Sequence, residues 1–287
     1  MMARSLLMKA SSQRLLLYPA YVHDYLDRVT AADIAAGNTL GLELSVTDAF
    51  NTCLQAMVAD TSLGVSGGAL SQAASLIKAS CAVQGARTLP GSLVPLAADM
   101  PAPINFNFGA GDYNRRTGLQ GNGRSMYLNS DYASNAAPQN SLHFSCYITT
   151  PATGPLSSYM ANRFVDNSTE FSELQFQTIS TVLVYNRSPD SSEGVVAGTG
   201  VTGLLGSSRE QSSSFIVRSS GANVTKNKTS LVPTVHAFTI FARNQPETTL
   251  HSNARLNFYS IGSALDLAIL DARITALSNA IQSAIAP

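Results

Sequence analysis

The chain has 287 residues, 45% of them hydrophobic, and its 18 basic and 18 acidic side chains cancel to a formal net charge of zero. This composition excludes an intrinsically disordered chain, and the length suits one domain, or a β domain with helical additions. A neutral chain has no electrostatic reason to bind nucleic acid or an anionic membrane, so we expect neither partner. Charged residues make up 13% of the chain, about half of the usual share, which favours a place inside a large assembly.

The N-terminal residues 1–25 are interpreted as a separate segment of the mature protein. Lys9 and Arg14 interrupt the apolar stretches, and no small-residue cleavage site follows them. No apolar run in the sequence reaches the roughly 18 residues that a membrane-spanning helix needs. We therefore expect neither a signal peptide nor a membrane anchor here.

Residues 26–98 are predicted to be mainly helical. Residues 30–38 and 46–60 are rich in alanine, and Thr47 is a candidate N-cap for the second of these helices. Apolar side chains recur at helical spacing over 69–83, which predicts a further helix whose apolar face consists of Leu70, Ala73, Ala74, Ile77 and Cys81. A cluster of prolines then marks the boundary of this region: Pro90, Pro95, Pro101 and Pro103.

The hydrophobic period changes to that of strands over residues 99–262. In LHFSCYI at 142–148, four apolar side chains alternate with His143, Ser145 and Tyr147, so the two sets lie on opposite faces. Other short runs rich in β-branched and aromatic residues are separated by Gly, Asn, Pro and Ser. The region is therefore predicted to be an antiparallel β-sandwich or jelly roll, and the fold class mainly β.

The glycine-rich stretch GDYNRRTGLQGNGRSMYLNS, residues 111–130, is interpreted as architecture. Glycines on both sides of Asn122 allow the positive φ angles that a tight hairpin needs. We therefore predict two paired strands joined by a turn at residues 121–123, with GDYNR as the turn that enters the pair.

Residues 263–287 predict a C-terminal helix, with Ser263 as its cap and Asp266 three residues later in a capping-box pattern. One face of this helix is a heptad seam. Two interpretations of the seam stay open: it packs on the chain's own domain, or it packs around the symmetry axis of an oligomer. The seam residues are Leu267, Leu270, Ile274, Leu277 and Ile281. A second apolar face consists of Leu265, Ile269, Ala272, Ala276 and Ala280.

The three cysteines, Cys53, Cys81 and Cys146, are odd in number and widely spaced, which predicts small buried side chains rather than disulfides or a zinc site. GTGVTG at 198–203 matches the glycine pattern of a dinucleotide site, but neither the helix nor the acidic residue that such a site needs comes after it. GVSGG at 64–68 lacks the preceding strand of a nucleophile elbow. Both are interpreted as loops.

The residues predict neither a catalytic carboxylate pair nor a metal site. The acids of the β region are sparse, and Glu170 and Glu173 fall on opposite faces of a strand. The four histidines lack metal-binding spacing. A calcium ion held by loop oxygens stays open, with Asp131 and Asp166 as its candidate ligands.

A polar stretch at 127–143 is the candidate carbohydrate-binding loop, because sugars are bound by aromatic faces and planar polar side chains. Tyr127 and Asn129 begin this stretch. The residues to which we assign binding are Tyr132, Asn135, Gln139, Asn140 and His143. The alternative is a polar loop whose asparagines satisfy its own turns.

Several blocks resemble a family of structural proteins of tailed phages that infect cyanobacteria and other aquatic bacteria. They are GARTLPGSLVPLAADMPAPINFNF, GDYNRRTGLQGNGRSMYLNS, NAAPQNSLHFSCYITT, LGSSREQSSSFIVR and FYSIGSALDLAILDARITALSNAI. The resemblance covers most of residues 26–286 and leaves residues 1–25 unmatched. It implies a concanavalin A-like (LamG-like) jelly roll in a virion component. It carries no catalytic residues, and we expect no enzymatic activity and no cofactor.

Among virion components, the lectin-like sandwich, the polar uncharged surface and the apolar C-terminal helix favour a tail fibre or tail-appendage protein, assembled into the virion in the host cytoplasm. Its expected partners are other virion proteins, copies of itself in a homotrimer, and a glycan of the host surface. The alternative is a decoration or cement protein that stabilises the capsid. In either role the arm at residues 1–25 docks onto the particle, through Arg4, Lys9, Arg14, Leu15, Leu16 and Leu17.

Overall fold

The structure is a computed structural model in three layers. It describes residues 18–65, 68, 70–154, 156–162, 171–178, 181–188, 194–196 (backbone alone), 201–243 and 249–286. One layer consists of helices, and the other two are antiparallel sheets, named sheet A and sheet B. Sheet A lies in the middle, between the helices and sheet B. The mainly β fold class, with helical segments before and after the sandwich, is confirmed.

The helices within these ranges are α1 (Ala20–Ala35), α2 (Leu44–Ala59), α3 (Leu89–Ser92) and α4 (Leu267–Ala284). Short 3-10 turns cover Thr61–Leu63, Ala110–Asp112 and Ser134–Ala136. None of the described helices combines the length and apolarity needed to cross a membrane.

Sheet A has the strand order β13-β12-β11-β6-β15-β4-β3, and β1 also pairs with β15. Its strands are β1 (Ile77–Ala82), β3 (Tyr113–Asn114), β4 (Gly118–Gln120), β6 (Leu142–Thr150), β11 (Gly203–Arg209), β12 (Ser214–Ser219), β13 (Ala222–Asn227) and β15 (Arg255–Gly262). Sheet B has the order β10-β9-β8-β7-β14-β5-β2. Its strands are β2 (Ile104–Phe106), β5 (Tyr127–Ala133), β7 (Ser157–Asn162), β8 (Phe171–Thr178), β9 (Thr181–Ser188), β10 (Gly194–Val196) and β14 (Ala237–Ile240).

Within the described residues, two large apolar cores lie one on each face of sheet A, and a smaller cluster on sheet B consists of Phe171, Leu183 and Tyr185. The alternation predicted for β6 is confirmed, because Leu142, Phe144 and the other inward apolar residues pack against sheet B. Leu204 and Phe258 point from the opposite face of sheet A towards α2 and α4. The middle strands of sheet A, β6 and β15, are therefore covered on both faces, so their outward-pointing polar residues are buried.

The N-terminal helices begin earlier than predicted. α1 starts at Ala20 and buries Val22 and Tyr25, so the boundary drawn at residue 25 falls inside a packed helix. α2 starts at Leu44, and Glu43 occupies the N-cap position assigned to Thr47. The Thr47 hydroxyl instead donates to the carbonyl of Leu44, within the first turn.

The helix predicted over 69–83 is wrong, because residues 77–82 form β1. This strand pairs with β15, with Ile77 opposite Gly262 and Ala82 opposite Phe258. Ile77 and Ala82 point towards the helices, whereas Ala79 and Cys81 point between the sheets. A strand buried on both faces does not alternate in polarity, so its small residues were indistinguishable from a helix by sequence.

The C-terminal helix is confirmed, with a corrected start. Its N-cap is Asp266, whose carboxylate accepts a hydrogen bond from the backbone of Ala268 at 2.8 Å. The carbonyl of Ser263, the predicted cap, lies against His143. The seam residues are buried within the same chain, at 0–3% exposure: Leu267, Leu270, Ile274, Leu277 and Ile281. They pack in the core beneath the helices, so the assignment of these residues to an oligomer interface was wrong.

The hairpin predicted around residues 121–123 is also wrong. β4 belongs to sheet A and β5 to sheet B, so residues 121–126 cross between the sheets. A short hairpin does occur one step earlier, where β3 pairs with β4. In the crossing, Oδ1 of Asn122 accepts hydrogen bonds from the backbone of Arg124, Ser125 and Met126. The Gly–Asn–Gly signal therefore marked an Asx turn.

The burial predicted for the cysteines is confirmed. Cys53, Cys81 and Cys146 are free and at most 6% exposed. Burial raises the pKa of each thiol, so all three are uncharged at neutral pH.

Candidate functional site

The predicted carbohydrate-binding residues do not form one surface, because Tyr132 lies in the core between the sheets. It shares the inward face of β5 with Leu128 and is 6% exposed. Burial raises the pKa of its hydroxyl to about 12. A sugar on the surface cannot reach the face of this ring, so its assignment to binding was wrong.

His143 is fully buried against the residues that precede α4, and its assignment to sugar binding was also wrong. Its Nδ1 lies 2.6 Å from the carbonyl of Ser263, and its Nε2 lies 3.1 Å from the hydroxyl of Ser260. A hydrogen bond between the hydroxyls of Ser145 and Ser260 extends this network. Burial lowers the pKa of His143 to about 4, although the Ser263 carbonyl opposes the shift. The histidine is therefore a neutral structural residue.

Asn135, Gln139 and Asn140 stay at the surface, near the connection from β5 to β6. The Gln139 amide donates to the carbonyl of Ser230 at 3.0 Å, and the Ser230 hydroxyl donates back to the carbonyl of Gln139. These contacts fasten two loops together. The aromatic face expected beside these amides was that of Tyr132, which points inward.

An exposed aromatic stack lies at the edge of sheet B, outside the assigned residues. Phe106 on β2 and Tyr127 on β5 are cross-strand partners, with ring centroids 4.4 Å apart and planes 6° apart. His251 also lies beside Tyr127, at a centroid distance of 6.0 Å and with the ring planes tilted by 51°. We call Phe106, Tyr127 and His251 the aromatic platform. Phe106 remains 36% exposed and the neighbouring Ile104 remains 47% exposed.

The position of β2 explains why the platform faces solvent. β2 is the last strand of sheet B in the described chain, so no strand there covers the far side of the Phe106 ring. Leu128 points inward, which places its neighbours Tyr127 and Asn129 on the outer face. Ile104 and Phe106 are opposite those two residues in the ladder and therefore share their face.

Polar groups border the platform. Asn107 has a left-handed backbone (φ 69°), and its amide donates to the carbonyl of Ser125 at 2.8 Å, which joins β2 to the crossing loop. Next to Ser125, the exposed guanidinium of Arg124 makes no hydrogen bond or ion pair with any residue that the structure describes. Asn129 accepts a hydrogen bond from the backbone of Asp131. Asn107 and Asn129 thus lie next to the platform residues on β2 and β5, and the loop that Asn107 binds carries the cation of Arg124.

Sequence reasoning found part of this edge and missed the rest. Tyr127 and Asn129 stood in the polar stretch considered for sugar binding, although neither was assigned. Phe106 was missed because β2 is three residues long, too short to show a period. Its alternation with Asn105 and Asn107 was the available signal.

The remaining site assignments fall elsewhere. The residues assigned to virion attachment lie outside the described ranges: Arg4, Lys9, Arg14, Leu15, Leu16 and Leu17. Asp166 and Glu170 also lie outside them, and Asp131 is exposed. Glu173 is buried, and its carboxylate pairs with the guanidinium of Arg243 at 2.8 Å. Across the described residues, no three His, Cys, Asp or Glu side chains are grouped to hold a metal ion.

No protein-family model and no curated protein sequence matches the chain. Among solved structures, it is similar to Trypanosoma rangeli sialidase in complex with sialic acid, with a TM-score of 0.50, 11% identity and coverage of 82% of this chain and 38% of that one. It is also similar to the NanB sialidase of Streptococcus pneumoniae, with a TM-score of 0.37, 9% identity and coverage of 51% and 27%. For the CBM40 of Ruminococcus gnavus IT-sialidase, the TM-score is 0.38 and the identity 8%, with coverage of 48% and 83%.

These likenesses concern the fold. The chain spans less than two fifths of the length of the two sialidases. At 11% identity, the Trypanosoma rangeli sialidase supports the β-sandwich and carries no residue roles to this chain.

Proposed function

We propose that this chain is a non-enzymatic structural protein of a tailed phage virion. In this proposal it belongs to a tail fibre or tail appendage and binds a glycan of the host surface through the aromatic platform. The observation that carries the binding role is the exposed ring of Phe106, stacked on Tyr127 at the edge of sheet B. The resemblance of the sequence blocks to phage structural proteins supports the virion role.

The platform has the physical properties that sugar binding needs. The C–H face of a pyranose ring is apolar and packs on an aromatic face, whereas its hydroxyls need donors and acceptors nearby. Phe106 supplies the face, Asn107 and Asn129 follow the platform residues on their strands, and Arg124 lies in the crossing loop that Asn107 binds. Tyr127 stacks behind Phe106, and β2 is paired with β5 in a defined register. The Phe106 ring is therefore fixed before a ligand binds.

Glycan binding by purified protein tests the platform directly. We expect the full chain to bind a subset of bacterial surface glycans on an array. Phe106→Ala should weaken binding to them by about tenfold, because it removes the stacking face. Ile216→Ala is the matched control, since Ile216 on β12 of sheet A is 38% exposed and distant from the platform in the strand order. Equal binding by the wild type and Phe106→Ala would remove the platform from the proposal.

The virion role has its own test. A gold-labelled antibody against this protein, applied to purified particles, should mark the tail region at low copy number. Gold spread over the head at high copy number would instead identify a decoration protein and contradict the tail assignment. Incubation of the protein with a bound glycan, with chromatography of the products, tests the non-enzymatic assignment. Release of a free sugar would contradict it.

A further inference from the structure

The sequence contains one Asn–Gly pair, Asn122–Gly123, and it lies in the crossing loop at residues 121–126. Both residues are exposed, so water reaches them. Asparagine is chemically labile, and it loses its side-chain amide most readily before glycine. The reason is that glycine has no Cβ atom to keep its backbone nitrogen away from the amide carbon. Neither residue belongs to the aromatic platform.

The reaction open to this pair is a cyclisation followed by hydrolysis. The backbone nitrogen of Gly123 bonds to Cγ of Asn122, the Cγ–Nδ2 bond breaks, and the backbone proton leaves with Nδ2 as ammonia. Water then opens the cyclic succinimide at either of its carbonyls. The first product is an ordinary aspartate at position 122, and the second is isoaspartate, whose main chain runs through Cβ and Cγ. Either product adds a negative charge to a chain whose formal net charge is zero.

The fold holds the reacting groups of this pair in hydrogen bonds. The attacking nitrogen, that of Gly123, donates to the carbonyl of Ser252 at 3.2 Å. Oδ1 of Asn122 accepts from the three backbone N–H groups of residues 124–126, at 2.9–3.2 Å. The leaving atom, Nδ2, donates to the hydroxyl of Ser125 at 3.2 Å. The ring closes only after the side chain and the Gly123 peptide rotate towards each other, and those rotations break these bonds.

The crossing loop is fastened at both ends. At its start, a Cβ atom on Gly121 would lie 2.0 Å from the carbonyl oxygen of Ser252, so the loop packs tightly on the chain that precedes β15. Towards its end, the amide of Asn107 donates to the carbonyl of Ser125 at 2.8 Å. Opening of the loop therefore separates it from β2 as well as from Ser252.

We propose that Asn122 is a deamidation site that the crossing loop protects, so that the reaction follows opening of the loop and records it permanently. An aspartate at position 122 lets the loop form again, because its carboxylate accepts the same three N–H groups with a full charge. Isoaspartate adds a methylene to the main chain, which changes the spacing between Gly123 and the anchor at Ser125. In the molecules that carry isoaspartate, the loop therefore stays detached from Asn107.

Mass spectrometry of tryptic peptides, after incubation of the full chain at mildly alkaline pH, measures the reaction. Trypsin releases residues 117–124, in which Asn122 is the one asparagine. The folded chain should lose this amide about tenfold more slowly than the chain unfolded in guanidinium chloride, because several hydrogen bonds must open first. Asn107→Ala removes the anchor to β2 and should raise the rate in the folded chain by about threefold or more. Asn227→Ala is the matched control, since Asn227 is an exposed asparagine on β13.

Asn114 is an internal reference for the role of glycine. Its Oδ1 atom accepts from the backbone of Arg116 and Thr117 in the same kind of turn, but Arg115 follows it in place of glycine. In the unfolded chain Asn114 should therefore react much more slowly than Asn122. Equal rates for these two asparagines would overturn the site.

Two further results would overturn the protection. The first is an equal rate of reaction at Asn122 in the folded and the unfolded chain, and the second is an equal rate in Asn107→Ala and Asn227→Ala. Circular dichroism at the incubation temperature verifies that each variant is folded. Should Asn107→Ala unfold there, Ser125→Ala gives the same test, because it removes the acceptor of the Nδ2 bond. None of these measurements depends on glycan binding.

Discussion

The carboxylate of Asp33 lies 2.6 Å from the hydroxyl of Thr88, and this hydrogen bond ties α1 to the start of α3. The same carboxylate also accepts hydrogen bonds from the backbone of Arg87 and Thr88, each at 2.8 Å. Asp33 is 1% exposed, and a Cβ atom added to Gly91 would lie 2.1 Å from its Oδ1. The buried carboxylate of Asp33 thus holds the turn at residues 87–88. It lies so close to Gly91 that a residue with a Cβ atom does not fit at position 91.

Asp33→Ala should lower the free energy of unfolding by about 2–4 kcal/mol, because it leaves three donors without their charged acceptor. Chemical denaturation with urea measures this change. Asp24→Ala is the control, since Asp24 is half-exposed and pairs with Arg28 on the surface of the same helix. It should cost less than about 1 kcal/mol. Equal effects of the two variants would contradict the anchoring role of Asp33.

Stability should fall as the pH is lowered from about 6.5 to about 4, because of His143. Its pKa is lowered to about 4 in the folded chain, so over this range the unfolded chain binds a proton that the folded chain does not. The loss should approach about 3 kcal/mol at the acid end. Urea denaturation of the wild type and of His143→Gln, repeated at several pH values, isolates this contribution. The difference between the two should depend on pH, and a constant difference would show that His143 does not titrate as described.

Gly118→Ala should destabilise the chain by more than about 2 kcal/mol. The residue has a φ of 97°, and an added Cβ would lie 2.1 Å from the carbonyl oxygen of Leu256. Gly221→Ala separates the two causes, since Gly221 has a φ of 76° with open space around its Cβ position. That variant should lose about 1–2 kcal/mol from backbone strain alone. Thermal unfolding of both variants gives the comparison.

Glu173→Ala should cost about 3–5 kcal/mol, because the guanidinium of Arg243 would stay buried without its main charged partner. Replacing both residues, as Glu173→Leu with Arg243→Met, should restore much of the loss, since neither charge is then buried. Denaturation midpoints of the two variants measure this. A double variant less stable than Glu173→Ala would show that the pair itself stabilises sheet B.

The sequence predicted the elements in which one face differs clearly from the other. β6 alternates apolar and polar residues, and α4 carries a regular seam, so both were identified. β1 was taken for a helix because its small residues are buried on both sides, which removes the alternation. The strand exists because it pairs with β15, and that partner is distant in sequence.

The candidate site was predicted less well, since exposure depends on the layer that covers each face. His143 points away from the inner core, as its position in β6 requires, and on an open sheet it would face solvent. Here α4 and the residues before it cover that face. Tyr132 shares the parity of Leu128, so its burial follows once the inward face of β5 is known. Phe106 is exposed because β2 lies at an edge, which the strand order alone reveals.

The pairing of β1 with β15 sets the order in which the chain can fold during translation. β15 lies between β6 and β4 and also receives β1, so sheet A lacks its central strand until residues 255–262 have left the ribosome. β1 and β6 emerge much earlier, with open edges that other chains could pair with. We expect folding to be slow and late, and a nascent chain that stops before β15 should be aggregation-prone and a target of chaperones.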